Sequence, residues 1–249
     1  MTIDFKTYFS LSFISVAALV VYAYYTREQF YPTILFLVSS KVSFLISGNM
    51  LLVTVVFVAK VLKSIFFGKL RSVEVELLYD KAKYSITETC LALTVFRHEI
   101  TPTVLMIFGS LIVVKAFHWL AKCRLEYNEQ QQHIPLKSHL RMASLITVLV
   151  IIDGTVVRHC VKYTFEQGRS VFILFGFEFG LLVINIFSML FRYICQCIDE
   201  AMENEFQSKG FFLMICELIA DALKFVTYSC FFCLVFVYYG LPIHIVRYL

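Results

Sequence analysis

Apolar residues fall into blocks of bilayer length, separated by short polar stretches. A helix needs about 20 predominantly apolar residues to cross a hydrocarbon core. By that measure the pattern predicts spans at residues 8–25, 42–67, 104–121, 140–161 and 171–197. A further apolar run, 210–239, is long enough for one tilted helix or for two short ones. Residues 73–96 are harder to read. Glu74, Glu76, Asp80, Lys81 and Lys83 charge the first half, and only 86–96 is strongly apolar. Gly240-Leu-Pro242 breaks the last run, and the chain stops at Leu249 partway into another element. The predicted fold is all-α: a polytopic transmembrane bundle forming one domain over 1–249, with seven clear spans and an incomplete eighth.

The first block is read as a retained span. It is too long for the apolar region of a secretory signal, is preceded only by Lys6, and ends in Tyr-Tyr-Thr-Arg rather than in small residues. Phe30, Tyr31 and Pro32 then predict an interfacial turn, followed by an apolar patch at 34–38. Lys60, Lys63, Lys69 and Arg71 at the far end of the second span have stems long enough to snorkel to the headgroups.

Loop charge decides whether 73–96 crosses, because cytosolic loops are enriched in Lys and Arg. With a cytosolic N-terminus and a crossing segment, thirteen Lys/Arg fall on the cytosolic side and six on the other, with Lys115, Lys224 and Arg247 left out. Without the crossing the split is eleven to eight. The count favours crossing. A half-polar span requires neighbouring helices or a water-filled cavity over its polar face, so the segment itself implies a polar interior.

Composition narrows the class. Hydrophobic residues make up 59% and charged residues 16%, with mean hydropathy +0.78; soluble domains average about 45–50% and about 25%. A water-soluble domain is excluded, and 26 Phe with 14 Tyr exclude disorder. The net charge of +4 is too mild to argue for nucleic acid. Most of the eight cysteines sit in apolar runs, where Cys behaves as a small hydrophobe. Cys230-Phe-Phe-Cys233 has a zinc-like spacing but no second pair and no nearby His, so both are expected to be buried helix residues. No nucleophile–base pair, phosphate loop or His/Cys metal cluster is apparent, and catalysis by this chain alone is unsupported.

Eight polar groups fall inside apolar segments: Glu88, Lys115, Asp153, Glu178, Asn185, Glu217, Asp221 and Lys224. A charge at the bilayer centre costs about 2.5–3.5 kcal/mol on insertion scales, so the set is expensive to show to lipid. Either the groups pair with one another or lie near the headgroups, stabilising the bundle, or they line a hydrophilic cavity. Thr87-Glu88-Thr89 is a natural site between helices, since Thr hydroxyls reach carbonyls one turn back. Glu217, Asp221 and Lys224 share one helical face, and Asp221 can pair with Lys224 at i, i+3. His118-Trp119 is expected to anchor the fourth span at the interface, and the acidic stretch 199–205 to be a solvated connector.

The run Tyr84-Ser-Ile-Thr-Glu-Thr-Cys-Leu-Ala-Leu-Thr-Val-Phe-Arg97 resembles the signature of the synoviolin family, the multispanning ubiquitin ligases of endoplasmic-reticulum-associated degradation. Collinear likenesses support it: Gln29-Phe-Tyr-Pro-Thr33, Phe66-Phe-Gly-Lys-Leu-Arg71 with Glu74 and Glu76, Lys115-Ala-Phe-His-Trp-Leu-Ala121, and Phe175-Gly-Phe-Glu178. The autocrine-motility-factor-receptor ligases share the architecture, but these motifs look closer to synoviolin. The resemblance implies eight helices with cytosolic ends in the endoplasmic reticulum membrane, and a cytosolic RING that recruits a ubiquitin-conjugating enzyme. It also implies a lumenal adaptor built of Sel-one-like repeats, Derlin-type rhomboid-like partners, misfolded-protein substrates and a homodimer. The chain ends at Leu249 without a Cys-x-x-Cys…His array. The expectation is therefore a membrane domain that cannot transfer ubiquitin by itself, with zinc expected only in the missing RING and no cofactor of its own.

On this reading Thr87, Glu88, Thr89, Glu178, Asn185, Glu217 and Asp221 line a cytosol-facing cavity that eases a polar polypeptide through the membrane. Asn49 and Lys60, on helices resembling the family's lateral gate, face substrate. Two rivals are a small-solute transporter or channel, whose mark would be an internal repeat with paired broken helices, and a purely structural membrane scaffold. No such repeat is present.

Overall fold

A computed structural model describes residues 5–95, 102–131, 135–167, 171–202 and 208–239. The described residues form eight helices and no strand: α1 (Phe5–Arg27), α2 (Phe30–Ser39), α3 (Lys41–Phe66), α4 (Ser72–Val95), α5 (Pro102–Glu129), α6 (Leu136–Gln167), α7 (Phe172–Ala201) and α8 (Lys209–Tyr239). Five of them, α1, α3, α5, α6 and α7, are long and apolar enough to cross a membrane. Helices α4 and α8 form over the expected segments, and α8 is one continuous helix rather than two. The expected eighth span, beyond residue 239, lies outside the described residues.

The structure differs from the expected pattern in three respects. The patch at 34–38 belongs to a ten-residue helix that starts at Phe30. Pro32 is its third residue, inside the first turn, where a missing N–H breaks no intrahelical bond. Helices α5, α6 and α7 run past the predicted spans 104–121, 140–161 and 171–197, because helix continues into charged segments whose side chains find partners. The stretch 199–205, expected as a solvated connector, is helical at its start, with Asp199 and Glu200 both paired. Residues 203–207 lie outside the described residues.

The chain divides into two compact units, Met1–Leu70 with Ala82–Val113, and Arg71–Lys81 with Val114–Leu249. In the first, α1, α2 and α3 pack on one another. Leu19, Ala23 and Val53 are buried there, and Phe9 meets Phe57 at 5.1 Å between ring centroids. The α3 terminus closes on Gly68 at φ +65°, a left-handed conformation that only glycine adopts without strain; its N–H donates to the Lys63 carbonyl at 3.1 Å. Many large apolar side chains point away from the protein, among them Leu11, Val21 and Leu45 at 63–69% exposure. Such surface needs a lipid or protein cover.

In the second unit α6 packs on α7 and α7 on α8. Leu120, Ala121 and Leu125 of α5, Leu145, Ile146 and Leu149 of α6, and Phe175, Phe179 and Ile186 of α7 are buried. The acidic residue Glu74, at the start of α4, is fully buried in this unit and holds α4 to α5.

Candidate functional site

The second unit contains a cavity of about 680 Å³ walled by four helices. Each contributes one stripe at helical spacing: Val73, Leu77 and Lys81 of α4; His118, Trp119, Lys122, Cys123 and Glu126 of α5; Leu182, Asn185, Ser188, Met189 and Arg192 of α7; Glu217, Ala220, Asp221 and Lys224 of α8. Three expected cavity residues, Asn185, Glu217 and Asp221, meet in this wall. Lys224 Nζ donates to Asp221 Oδ1 at 3.0 Å, the pair expected from the spacing.

Arg192 is the centre of charge in the wall. Its Nε donates to Glu129 Oε1 at 2.7 Å and its Nη1 to Glu217 Oε1 at 3.1 Å, while Glu126 Oε1 lies 3.6 Å from Nη1. One cation thus answers three carboxylates from α5 and α8. Lys122 adds a long contact of 3.9 Å to Glu126, with both side chains largely exposed. The sequence reading missed Arg192, Lys122 and Glu126. The signal was available: Arg192 stands seven residues after Asn185, and 119, 122, 123 and 126 repeat at helical spacing.

Two ion pairs tie α5 to its neighbours at membrane depth. Lys115 Nζ lies 2.8 Å from Glu178 Oε2, so Glu178 is committed to a pair and is not in the cavity wall. His118, one turn on, is 3% exposed and faces fully buried Asp153 of α6, Nε2 to Oδ2 3.0 Å. The expected interfacial role of His118 is thereby corrected: burial and an acidic partner hold it inside the bundle. Its Nδ1 lies 3.1 Å from the Val114 carbonyl, which can only accept, so Nδ1 carries hydrogen. With Nδ1 protonated, Nε2 and Oδ2 attract only if the pair holds one further proton. No well-aligned donor reaches either Asp153 oxygen, so the contact is chiefly electrostatic.

Glu74 is held more tightly. Arg71 donates to it from the backbone N–H (2.9 Å), Nε (3.3 Å) and Nη2 (3.2 Å). Arg124 Nη2 donates to Oε2 at 2.8 Å, with its Nε 2.7 Å from Oε1. The Arg71 guanidinium also lies 3.5 Å above the Tyr127 ring. A carboxylate with two guanidiniums is a strong charge-assisted arrangement, and it fixes α4 antiparallel to α5 with 71 beside 127 and 74 beside 124. At the start of α6, His139 Nε2 lies 2.8 Å from Glu200 Oε2.

The other expected site residues lie in the first unit. Thr87 and Glu88 are exposed, and the Thr87 hydroxyl donates to the Lys83 carbonyl one turn back at 3.0 Å. The side chain of Thr89 lies outside the described residues. Asn49 accepts from the Tyr8 hydroxyl at 2.6 Å and donates to Ser12 Oγ at 3.0 Å, bridging α1 and α3. Lys60 Nζ sits 3.4 Å from the centroid of the Phe5 ring, a cation–π contact. Cys230 and Cys233 are helix residues as expected, but exposed rather than buried.

Over residues 4–249 the chain matches the family described as E3 ubiquitin-protein ligase synoviolin-like, TPR repeats. It is also similar to the ERAD-associated E3 ubiquitin-protein ligase hrd1 of Schizosaccharomyces pombe, with 29% identity over 227 residues. That alignment covers 90% of this chain and 33% of the relative, so the chain spans about a third of the curated relative's length.

Proposed function

The chain belongs to the synoviolin-like family of E3 ubiquitin-protein ligases, and from that membership we propose that it serves retrotranslocation of misfolded proteins to the cytosol. Its place is the endoplasmic reticulum membrane, as a multi-pass membrane domain of the degradation machinery. The N-terminus is cytosolic, and α4 and α8 cross along with the five more apolar helices. A RING outside this chain supplies ubiquitin transfer and binds the conjugating enzyme. The lumenal Sel-one-like adaptor, Derlin-type proteins and a second copy assemble around the membrane part.

The observation that carries the reading is the cavity of about 680 Å³, whose wall brings Asn185, Ser188, Arg192, Glu217 and Asp221 together. Backbone and polar side chains of a passing polypeptide meet no partners in hydrocarbon, and each unsatisfied group costs several kcal/mol. Water held against these residues shortens the apolar path and lowers that cost. Glu178 stands beside the cavity in its pair with Lys115, while Thr87, Glu88 and Thr89, as further polar-route residues, and Asn49 and Lys60, as substrate-facing residues, are proposed within the first unit alone.

Thiol labelling tests it. Cysteines placed at Asn185 and Asp221 in intact microsomes should react with a membrane-impermeant maleimide added from the cytosolic side. A cysteine at Leu45, an apolar outward position of α3, should not. Protection of both cavity positions in a folded protein would overturn the reading in favour of a dry structural scaffold.

A further inference from the structure

The cavity wall holds four cations and three carboxylates, and the carboxylates are already engaged. Arg192 takes Glu217 and approaches Glu126, and Lys224 takes Asp221. That leaves Lys81 and Lys122. Lys81 makes no ion pair among the described residues. Lys122 reaches Glu126 only at 3.9 Å, across an exposed and solvent-screened gap. Lys81 and the weakly paired Lys122 stand on adjacent helices. With Glu74 beside Arg124 and Arg71 beside Tyr127, residue 81 of α4 is level with about residue 117 of α5. Lys81 and Lys122 are then offset by about 7 Å along the helix axes, a gap that two lysine side chains can close around one anionic group.

What lies next to them is apolar. Val73 and Leu77 occupy the α4 stripe two turns and one turn before Lys81, with Leu182 and Met189 on α7 and Trp119 on α5. An anion-binding pair beside an apolar wall, inside a membrane protein, matches an amphiphile with a phosphate head. Basic pockets between transmembrane helices have this chemistry for anionic lipid headgroups. We propose that the cavity binds a phospholipid, its phosphate between Lys81 and Lys122 and its acyl chain along Val73, Leu77 and Leu182. The size suits part of such a ligand, since small-molecule pockets run about 300–1,000 Å³. The proposal holds whether or not polypeptide uses the cavity.

The full chain in phosphatidylcholine nanodiscs is exposed to trace photoactivatable phosphatidic acid or to diacylglycerol with the same reactive acyl chain. Phosphatidic acid should label the chain severalfold more than diacylglycerol. The K81Q/K122Q double variant should lose that excess, whereas K81R/K122R and the exposed-surface control K137Q should keep it. Equal labelling by both lipids would overturn the proposal, as would an undiminished excess in a K81Q/K122Q protein that unfolds at the normal temperature. Displacement of the label by inorganic phosphate would assign the lysines to a free anion and overturn the lipid. Failure of this experiment leaves the maleimide reactivity at 185 and 221 unaffected, so the two readings fall separately.

Discussion

Asp153 and His118 give the sharpest test of how the interior is held together. Both are buried, at 0% and 3% exposure, so either one left without its partner stays largely out of bulk water. Breaking a buried pair by removing one member costs about 3–5 kcal/mol, because the survivor stays behind unpaired. Asp153→Ala should fall in that range. For a chain of this size 1 kcal/mol shifts Tm by about 2–4 °C, so the loss should be about 6–20 °C. Asp153→Asn is different. With Nδ1–H given to the Val114 carbonyl, a neutral His118 presents a lone pair at Nε2, and the Asn amide can donate to it. The pair then needs no extra proton, and the cost should stay within about 1.5 kcal/mol, the net worth of one hydrogen bond. Replacing both residues by leucine should recover much of the single-mutant loss, since apolar substitution of a whole buried pair is often neutral. Thermal unfolding in detergent can be followed with a thiol-reactive dye. Buried Cys160 and Cys195 become reactive only on opening, and exposed Cys230 and Cys233 give the baseline. The reasoning fails if Asn costs as much as Ala, or if the losses at 118 and 153 simply add in the double variant.

Other positions carry graded expectations. Arg124→Ala leaves Glu74 buried with Arg71 alone and should cost about 3–5 kcal/mol, read as a fall in Tm, while Lys122→Ala on the same helix should change it by less than about 1 kcal/mol. Tyr8→Phe removes only the hydroxyl that reaches Asn49 and should cost about 0.6 kcal/mol, the mean for hydrogen bonds between membrane helices; loss of folded protein on size-exclusion chromatography would contradict so small a value.

Most of the architecture was legible because apolar length is a one-dimensional signal. Helices α1, α3, α5, α6 and α7 announce themselves by it. Helix α4 does not; the distribution of Lys and Arg and the family resemblance argued for it. Helix ends were misjudged for a related reason. Hydropathy marks where lipid stops, whereas helix continues as long as side chains such as Arg124, Glu129 and Glu200 find partners across the bundle. Pro32 was read as a turn because its position in the first turn depends on where the helix starts.

The site was legible as far as single-helix geometry reaches. The spacing 217, 221, 224 placed three polar residues on one face, and the i, i+3 relation paired Asp221 with Lys224. Partner choice between helices is set by their rotation and axial shift, which no periodicity records. Lys115 with Glu178 and His118 with Asp153 therefore could not be matched in advance, and Glu178 was expected in the cavity while His118 was expected at the interface. Arg192 was overlooked because a basic residue near a span end reads as a snorkelling anchor.

The stoichiometry of the charges sorts these groups further. Lys115 with Glu178, and His118 with Asp153, are one-to-one contacts between neighbouring helices, each able to be net neutral and to stay dry. Arg192 is different, with Glu126, Glu129 and Glu217 around a single guanidinium and Lys122 only at a distance. Such a cluster carries excess negative charge, and hydrocarbon would make that excess far more costly than any contact within the cluster could offset. Glu217 and Glu126 are 54% and 44% exposed, whereas Glu129 and Glu178 are 14% and 21% exposed. The excess charge of the cluster thus has two carboxylates open to solvent, Glu126 and Glu217, while Glu129 is held by the guanidinium. On the proposed reading water enters from the Arg192 end, and the paired residues hold the helices that keep the cavity open.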